Sequence, residues 1–573
     1  MTALHKDFIN AILRSLRRGK SLLHAILRFF HKSPSTSASQ KPMAQTTTTI
    51  AKESKSADVS LIPTQKSPRP DGASSSSTAV GESQLEYVKS LRNLDDFLCE
   101  AEALFLNHTN EKELLALAEG FKEQFMSALE MGKISMLPSY SYRLPSGSES
   151  GRYLAADMGG SNLRVALIEL SGRSNRNPAD DTESTKDAKI VVMKNFRVDD
   201  NVRGLVGMSF FEWMAGRISE TLESSPQISM DSGSTSSPLP LSLAWSFPID
   251  QTSLGSGRLL DMGKGLKAVE GLLGQDIGHV IKTACASQGL CIELRAILND
   301  STACLLSQSY THLSTRMGLI LGTGTNIAAF LPVGAVGKHK FGNRSSSWWD
   351  AAAQVVVNTE VSTVGKGVLP MTRWDDELNA AHDKPDFQPL EMMVSGMYLG
   401  EICRRVIIDA VENAGLFGGE LPHDISEDLS QSISMWKTQH PSTYQPTTSD
   451  IQAIRTIASF VVRRSSALVA ASVYALWDLR TMLSRQHAAS FPEGDPRRQE
   501  LECEAALGET SVAFNGSVIE KYPQYLENCS AVLNRLVAAS RTRADEPAKS
   551  VTLVMARESS LFGAAIALAC EEH

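Results

Sequence analysis

Two stretches of the chain carry glycine, hydroxyl and amide groups in a pattern suited to holding phosphate. Tyr153-Leu-Ala-Ala-Asp157-Met-Gly159-Gly160-Ser161-Asn162-Leu-Arg164 leads into an apolar run from Val165 to Leu170, and Gly318-Leu-Ile-Leu-Gly322-Thr323-Gly324-Thr325-Asn326 leads into Ile327 to Leu331. Glycine permits a tight turn with backbone N–H groups aimed inward, and Ser or Thr hydroxyls add donors. One glycine turn between strands is ordinarily just a hairpin. The repeat, with Gly-Ser-Asn matched by Gly-Thr-Asn, points instead to two cradles gripping a polyphosphate from both sides. Asp157 ends a buried strand and enters the first turn, where a carboxylate can hold magnesium, directly or through water, against bound phosphates. The plainer role for such an Asp is to cap the turn through its own backbone.

Between the hairpins, Ala296-Ile-Leu-Asn299-Asp300-Ser301 puts a carboxylate at the C-terminal end of an apolar strand, where open α/β sheets build their sites. Phosphoryl transfer to a hydroxyl needs alignment, charge neutralisation and a base for the departing proton. Asp300 is the candidate base. Taken alone, Asn-Asp at a strand end is more often a turn, and its weight comes from its company. Ser246-Phe-Pro stands at another strand end, Lys264 in Met-Gly-Lys-Gly-Leu, Glu360 after Val357-Asn-Thr, and Glu391 in Gln388-Pro-Leu-Glu.

These groups need a scaffold, and the pattern around them alternates. Strands are expected at Tyr153–Ala156, Arg164–Leu170, Ile190–Val198, Leu239–Phe247 and Cys291–Leu298, with a helix over 270–287 and surface loops at 171–188 and 223–237. After the second hairpin come helices around 390–415 and 449–485, strand Thr510–Phe514, helix Ser517–Val537, strand Val551–Met555 and a last helix. Strands alternating with helices imply an α/β fold, and the duplicated hairpin implies two related lobes with a cleft between them.

Size and charge narrow the class. A chain of 573 residues can form more than one folded domain. A net charge of −8 argues against nucleic acid as a partner, since backbone phosphates require a basic face. The eight cysteines are scattered, with no Cys-x-x-Cys pair and no His cluster, so free thiols are the default and a zinc site is not expected. No charge-free apolar run reaches membrane-spanning length. The first 32 residues differ from the rest: Phe8, Ile9, Ile12, Leu13, Leu16, Leu23, Ile26, Leu27 and Phe30 recur at helical spacing among Lys6, Arg14, Arg17, Arg18, Lys20, Arg28 and Lys32. A basic amphipathic helix over 1–32 suits a membrane-surface or mitochondrial association, the bland reading being an arm that docks a partner or nothing. Residues 33–84 are rich in Ser, Thr and Pro and read as a disordered linker. Folded sequence begins near Leu85, with a helical segment over 85–150.

Taken together, Leu137-Pro138, Asp157-Met-Gly-Gly-Ser-Asn-Leu-Arg164, Ser246-Phe-Pro, Gln251-Thr-Ser, Gly322-Thr-Gly-Thr-Asn326, Ser395-Gly-Met-Tyr-Leu-Gly-Glu401 and Asn515-Gly-Ser-Val518 occur in an order that resembles the eukaryotic hexokinase family, glucokinases included, over most of 85–573. Among its members the chain looks most like the atypical fungal ones. The resemblance implies an actin-like (ribonuclease H-like) ATPase fold whose two lobes close on sugar and magnesium-ATP: a small lobe over 151–299, a large lobe over 300–555 on which the 85–150 segment packs, and a helix over 556–573 returning to the small lobe. It implies sugar-binding roles for Ser246, Lys264, Asn299, Asp300, Asn326, Glu360 and Glu391. Asp300 would take the proton of the 6-hydroxyl, and Lys264 would bridge that hydroxyl and the incoming phosphoryl group. Phosphate would lie on Gly159, Gly160, Ser161 and Asn162 with Arg164, and on Gly322, Thr323 and Gly324. The nucleoside would rest near Asn515, Gly516 and Ser517. The location implied is cytoplasmic or at the mitochondrion.

Four departures bear on activity. Gly263-Lys264-Gly265-Leu266 stands where the family has Thr-Lys-Gly-Phe, losing a sugar-contacting hydroxyl worth about 0.5–1.5 kcal/mol. Val361-Ser362 replaces Trp-Gly, and Asn515 replaces an Asp. Ser559-Ser560-Leu561-Phe562-Gly563 replaces Gly-Ser-Gly-Lys/Arg-Gly, so a bulky pair is expected to obstruct adenosine. The chemical-step residues persist, which favours a working hexose kinase over a sugar sensor with little turnover. A filament-forming or chaperone-like ATPase of the same fold is disfavoured by Glu360, Glu391 and Ser246-Phe-Pro.

Overall fold

The computed structural model describes residues 93–173, 187–224, 238–262, 265–419, 447–540 and 548–572. The expected N-terminal helix and linker, the start of the 85–150 segment, most of the two surface loops, and Gly263 with Lys264 lie outside the described residues.

Two sheets share one strand order. In the first, β2 (Ser150–Met158), β3 (Asn162–Ser171) and β4 (Ala188–Arg197) form an antiparallel meander, and β5 (Leu239–Trp245) and β8 (Ile292–Leu298) continue parallel to β2, giving β4-β3-β2-β5-β8. In the second, β9 (Thr315–Leu321), β10 (Thr325–Pro332) and β11 (Gln354–Asn358) form the meander, and β12 (Glu509–Asn515) and β13 (Ser550–Met555) continue parallel, giving β11-β10-β9-β12-β13. The short β1 (Leu137–Pro138) pairs with β11, and β6 (Ile249–Gln251) pairs with β7 (Gly257–Leu259). Each sheet thus repeats the order third, second, first, fourth, fifth, the duplication heralded by the paired glycine hairpins. Every residue of β10 is buried, and its apolar run from Ile327 suits a strand covered on both faces. At the sheet's rim, β4 alternates exposed with half-buried positions.

Register aligns the strand ends that matter. Asp157 pairs with Ala244, and Ala244 with Leu298. Asp157, Ser246 and Asn299-Asp300 therefore leave one edge of three adjacent parallel strands, and at about 4.8 Å per strand the ends of β2 and β8 lie about 10 Å apart. In the second sheet Ile320 pairs with Asn515, and Phe514 with Met555, so Gly322, Gly516 and Glu558 leave a corresponding edge.

Between the sheets lie two helices, α6 (Asp300–Thr311) and α13 (Ser559–Glu572). α13 packs on β2, β3, β5 and α6, and α6 also packs on β9 and β10. The approach is close: a Cβ at Gly563 would overlap the Ala303 carbonyl, and one at Gly318 would overlap the Ser301 carbonyl.

Outside the sheets stand α1 (Leu94–Leu106), α2 (Glu111–Met131), α4 (Met208–Glu223), α5 (Ile277–Ser287), α7 (Arg373–Ala380), α11 (Pro496–Ala506) and α10 (Thr448–Ala488). α10 runs 41 residues from a capping box between Thr447 and Asp450. It matches the helix expected over 449–485 and is long and apolar enough to cross a membrane, yet 78% of its most apolar window is buried within the protein, as befits a core helix. Its interior arginines are paired: Arg464 with Asp375, and Arg480 with Glu504, which also binds Arg316.

Three helices differ from expectation for local reasons. The helix expected from 270 begins at Ile277, because Gly271 and Gly274 sit at φ +80 and +77 and Asp276 caps the start. The 390–415 helix is two, α8 (Pro389–Val394) and α9 (Leu399–Ala414), parted at Ser395-Gly396. The 517–537 helix is also two, Ser517–Lys521 and α12 (Tyr525–Ala539), broken at Pro523 with Gln524 left-handed.

Candidate active site

The first hairpin closes through Gly159 N–H on the Asn162 carbonyl at 3.0 Å. Its next two carbonyls are tied from behind: Ser161 O accepts from Val198 N at 2.8 Å, and Gly160 O from Arg203 Nη2 at 2.7 Å. Asp157 is buried, and its carboxylate holds Arg164, whose Nε donates to Oδ2 at 2.9 Å. The same guanidinium pairs with Glu558, which precedes α13 on left-handed backbone at φ +48. Burial lifts the Asp157 carboxyl above the usual carboxylate range, Arg164 opposes this, and Glu558 adds to it.

The second hairpin closes through Gly322 N on Gly324 O at 3.0 Å. Its backing comes from the break between α8 and α9, where Gly396 N and Met397 N donate to Gly322 O and Thr323 O at 2.8 and 3.1 Å. Glu391 on α8 accepts from Thr325 N at 2.8 Å, so one residue of the expected sugar set also clamps this hairpin. Gly516, at φ +134, lies against Leu321 and Gly322, and a Cβ there would overlap the Leu321 carbonyl. The structure therefore brings Gly322, Thr323, Gly324, Gly516 and Ser517 together.

Around the expected sugar, Asp300 opens α6 and Asn299 is its N-cap, its Oδ1 accepting from Ser301 N at 2.8 Å. A helix N-terminus favours a negative charge at that position. Gln251 braces the strand before it by donating to the Ile297 carbonyl at 3.0 Å. Ser246 N donates to Met158 O at 3.2 Å, which seats Ser246 beside the first hairpin. Asn326 Nδ2 donates to Asn358 Oδ1 at 2.8 Å, and Asn358 Nδ2 donates to Glu360 Oε1 at 2.8 Å. Glu360 itself sits on left-handed backbone at φ +49, a strain of the kind held at binding sites. Burial raises its carboxyl above the usual range. The Asn358 amide opposes that, while the Asp300 and Glu391 carboxylates reinforce it, so the three acids share one electrostatic neighbourhood. Lys264 lies outside the described residues.

Asn358, Arg203 and Glu558 were not singled out from the sequence. Asn358 stands two residues before Glu360, a spacing that puts both side chains on one face of an extended chain, and this was the available signal. Arg203 and Glu558 carried none beyond charge.

One expectation is corrected. Leu561 is turned into the core, fully buried with Ala303, Leu306 and Ala564, and the half-buried Phe562 packs against the same cluster. α13 starts at Ser559, so its first turn already faces the first sheet. Two of the other replacements are absorbed as well, while Gly263 lies outside the described residues. Ser362 accepts from Gln388 Nε2 at 3.3 Å, and Asn515 Nδ2 donates to Ala556 O at 3.0 Å, a bond that an Asp could not make.

Among the described residues no cluster of three or more His, Cys, Asp or Glu could cage a metal. Magnesium suits such a site, since it keeps several waters and binds through one or two carboxylates plus substrate phosphates. Asp157 at the first hairpin fits that single-carboxylate role.

Two hexokinase family models match the chain, one over residues 102–310 and the other over 316–570. Rice chloroplastic hexokinase-4 is 28% identical over 441 residues, covering 76% of this chain and 80% of that protein. The hexokinase of Kluyveromyces lactis is 27% identical over 459 residues, covering 77% and 84%. A Schistosoma mansoni hexokinase solved with glucose superimposes with a TM-score of 0.62 at 23% identity, over 83% of this chain and 99% of that one. The fold is the two-lobed, actin-like fold of sugar kinases, and with hexokinase models matching both halves, the chain belongs to the hexokinase family.

Proposed function

We propose that the chain is an ATP-dependent hexose kinase that phosphorylates the 6-hydroxyl of a glucose-like sugar. The observation that carries this reading is the convergence of Asp300, Glu360 and Glu391 with the Asn326–Asn358 amides beside a backed glycine hairpin. Sugar hydroxyls each need a donor and an acceptor, and carboxylates paired with amides supply both. Glu360 and Glu391 accept from ring hydroxyls, while Ser246, Asn299 and Asn326 complete the ring's partners. Asp300 accepts the proton of the 6-hydroxyl as that oxygen bonds to the γ-phosphorus and the bond to the β-phosphate oxygen breaks. Lys264, by the family pattern, bridges that hydroxyl and the transferred group. Gly159, Gly160, Ser161, Asn162 and Arg164 hold one side of the phosphates. Gly322, Thr323 and Gly324 hold the other, with the nucleoside toward Gly516 and Ser517. Magnesium, when held by Asp157 through water, neutralises phosphate charge. Closure of the lobes excludes water, so that the acceptor is sugar.

A second reading, a sugar-binding regulator with slow turnover, is favoured by one observation. Arg164 is engaged by both Asp157 and Glu558, so phosphate must compete with a carboxylate for it. A coupled assay for ADP with glucose and magnesium-ATP separates the two. A kinase turns over, and Asp300→Ala abolishes the signal while glucose still raises the Tm. A regulator shows the thermal shift without turnover, and Glu558→Gln then increases ADP formation. The basic pattern of residues 1–32 adds a place at a membrane or mitochondrial surface to either reading, checked by comparing the location of the whole chain with that of a chain lacking them.

A further inference from the structure

Both hairpins are tied from behind at two consecutive carbonyls. In the second, both ties are main-chain donors, Gly396 N and Met397 N. In the first, Val198 N holds Ser161 O, but the Gly160 carbonyl depends on a side chain, Arg203 Nη2 at 2.7 Å. Arg203 ends a short helix, α3 (Asp200–Arg203), and its own carbonyl accepts from Lys267 N at 3.1 Å, three residues beyond Lys264.

A trans peptide is planar, so a carbonyl turned one way sends the next N–H the other way. Holding Gly160 O toward Arg203 therefore directs the Ser161 N–H away from that segment, as a donor on the hairpin's opposite side. Reversal would rotate Gly160 ψ, which glycine tolerates, together with Ser161 φ, which resists it, and it would present a carbonyl where an anion should bind. We propose that Arg203 is a positioning residue: it fixes the Gly160–Ser161 peptide in its anion-accepting orientation and joins the phosphate hairpin to the stretch carrying Lys264. The proposal rests on reading Gly159–Asn162 as a phosphate cradle.

The test is calorimetric binding of magnesium-ADP and of glucose to the full chain, unaltered and as Arg203→Ala and Arg203→Lys. Losing a hydrogen bond from a charged donor should weaken magnesium-ADP about tenfold in Arg203→Ala while leaving glucose affinity measured alone unchanged. Arg203→Lys, which keeps a charged donor, should recover most of the loss. A merely structural arginine would give a different result, with both ligands weakened in parallel with a fall in Tm, and that outcome overturns the proposal. So does unchanged nucleotide affinity in Arg203→Ala. Failure of the unaltered chain to bind magnesium-ADP would instead overturn the kinase reading beneath it.

Discussion

Glu360 shows how binding chemistry is held against folding stability. It is half-buried, near two other acids and on left-handed backbone. A carboxyl raised above its ordinary 4.5 binds its proton more tightly in the folded than in the unfolded chain. Its contribution to stability is therefore present at low pH and is lost as pH climbs through the raised value. Glu360→Gln keeps an acceptor for Asn358 and removes the charge. Its Tm should exceed that of the unaltered chain by more at pH 8 than at pH 5, while glucose binds about 10- to 100-fold more weakly, the cost of a hydrogen bond to a charged group. A Tm difference that shrinks with rising pH would contradict this account. Glu360 and Glu391 were legible as candidate sugar ligands only through their motifs. Their joint effect on each other was not, because it depends on a helix and a strand end that are far apart in sequence.

At the scale of elements, α6 and α13 decide where Asp300 and Glu558 stand. Their contact is made by glycine, and Gly563 lies under the Ala303 carbonyl. Gly563→Ala must push the two helices apart, backbone against backbone, so its cost belongs at or above the upper end of the 1–3 kcal/mol typical of overpacking. Thermal unfolding should show a clear drop in Tm, and glucose should bind more weakly as the N-terminus of α6 shifts. An unchanged Tm would mean that the helices accommodate the methyl elsewhere. The strands around this pair were legible from their apolar runs. The helix breaks at Ser395-Gly396 and Pro523 were less so, although glycine and proline marked both. The first break backs the second hairpin, and no local periodicity announces that use.

Across the whole molecule, the two sheets present corresponding strand ends, and the proposed sugar ligands come from both. Asp300 and Ser246 follow the first sheet, while Asn326 and Glu360 belong to the second. A hexose contacting both sets binds the folded chain only. At a concentration 100 times its Kd it should add about 2.7 kcal/mol to the unfolding free energy, with or without nucleotide. A scan of Tm against glucose concentration checks this, and an immobile Tm argues against hexose binding altogether.

By itself the sequence determined the repeat, the strand and helix alternation, the acidic balance and the ordered motifs of a hexokinase. These are local or periodic properties, and each is written in neighbouring residues. Only the tertiary structure decided that Leu561 is a core residue, that Glu558 pairs with Arg164, and that Arg203 holds the Gly160 carbonyl. Each of these joins groups from segments separated along the chain, and a contact made across space leaves no spacing in the chain from which to read it.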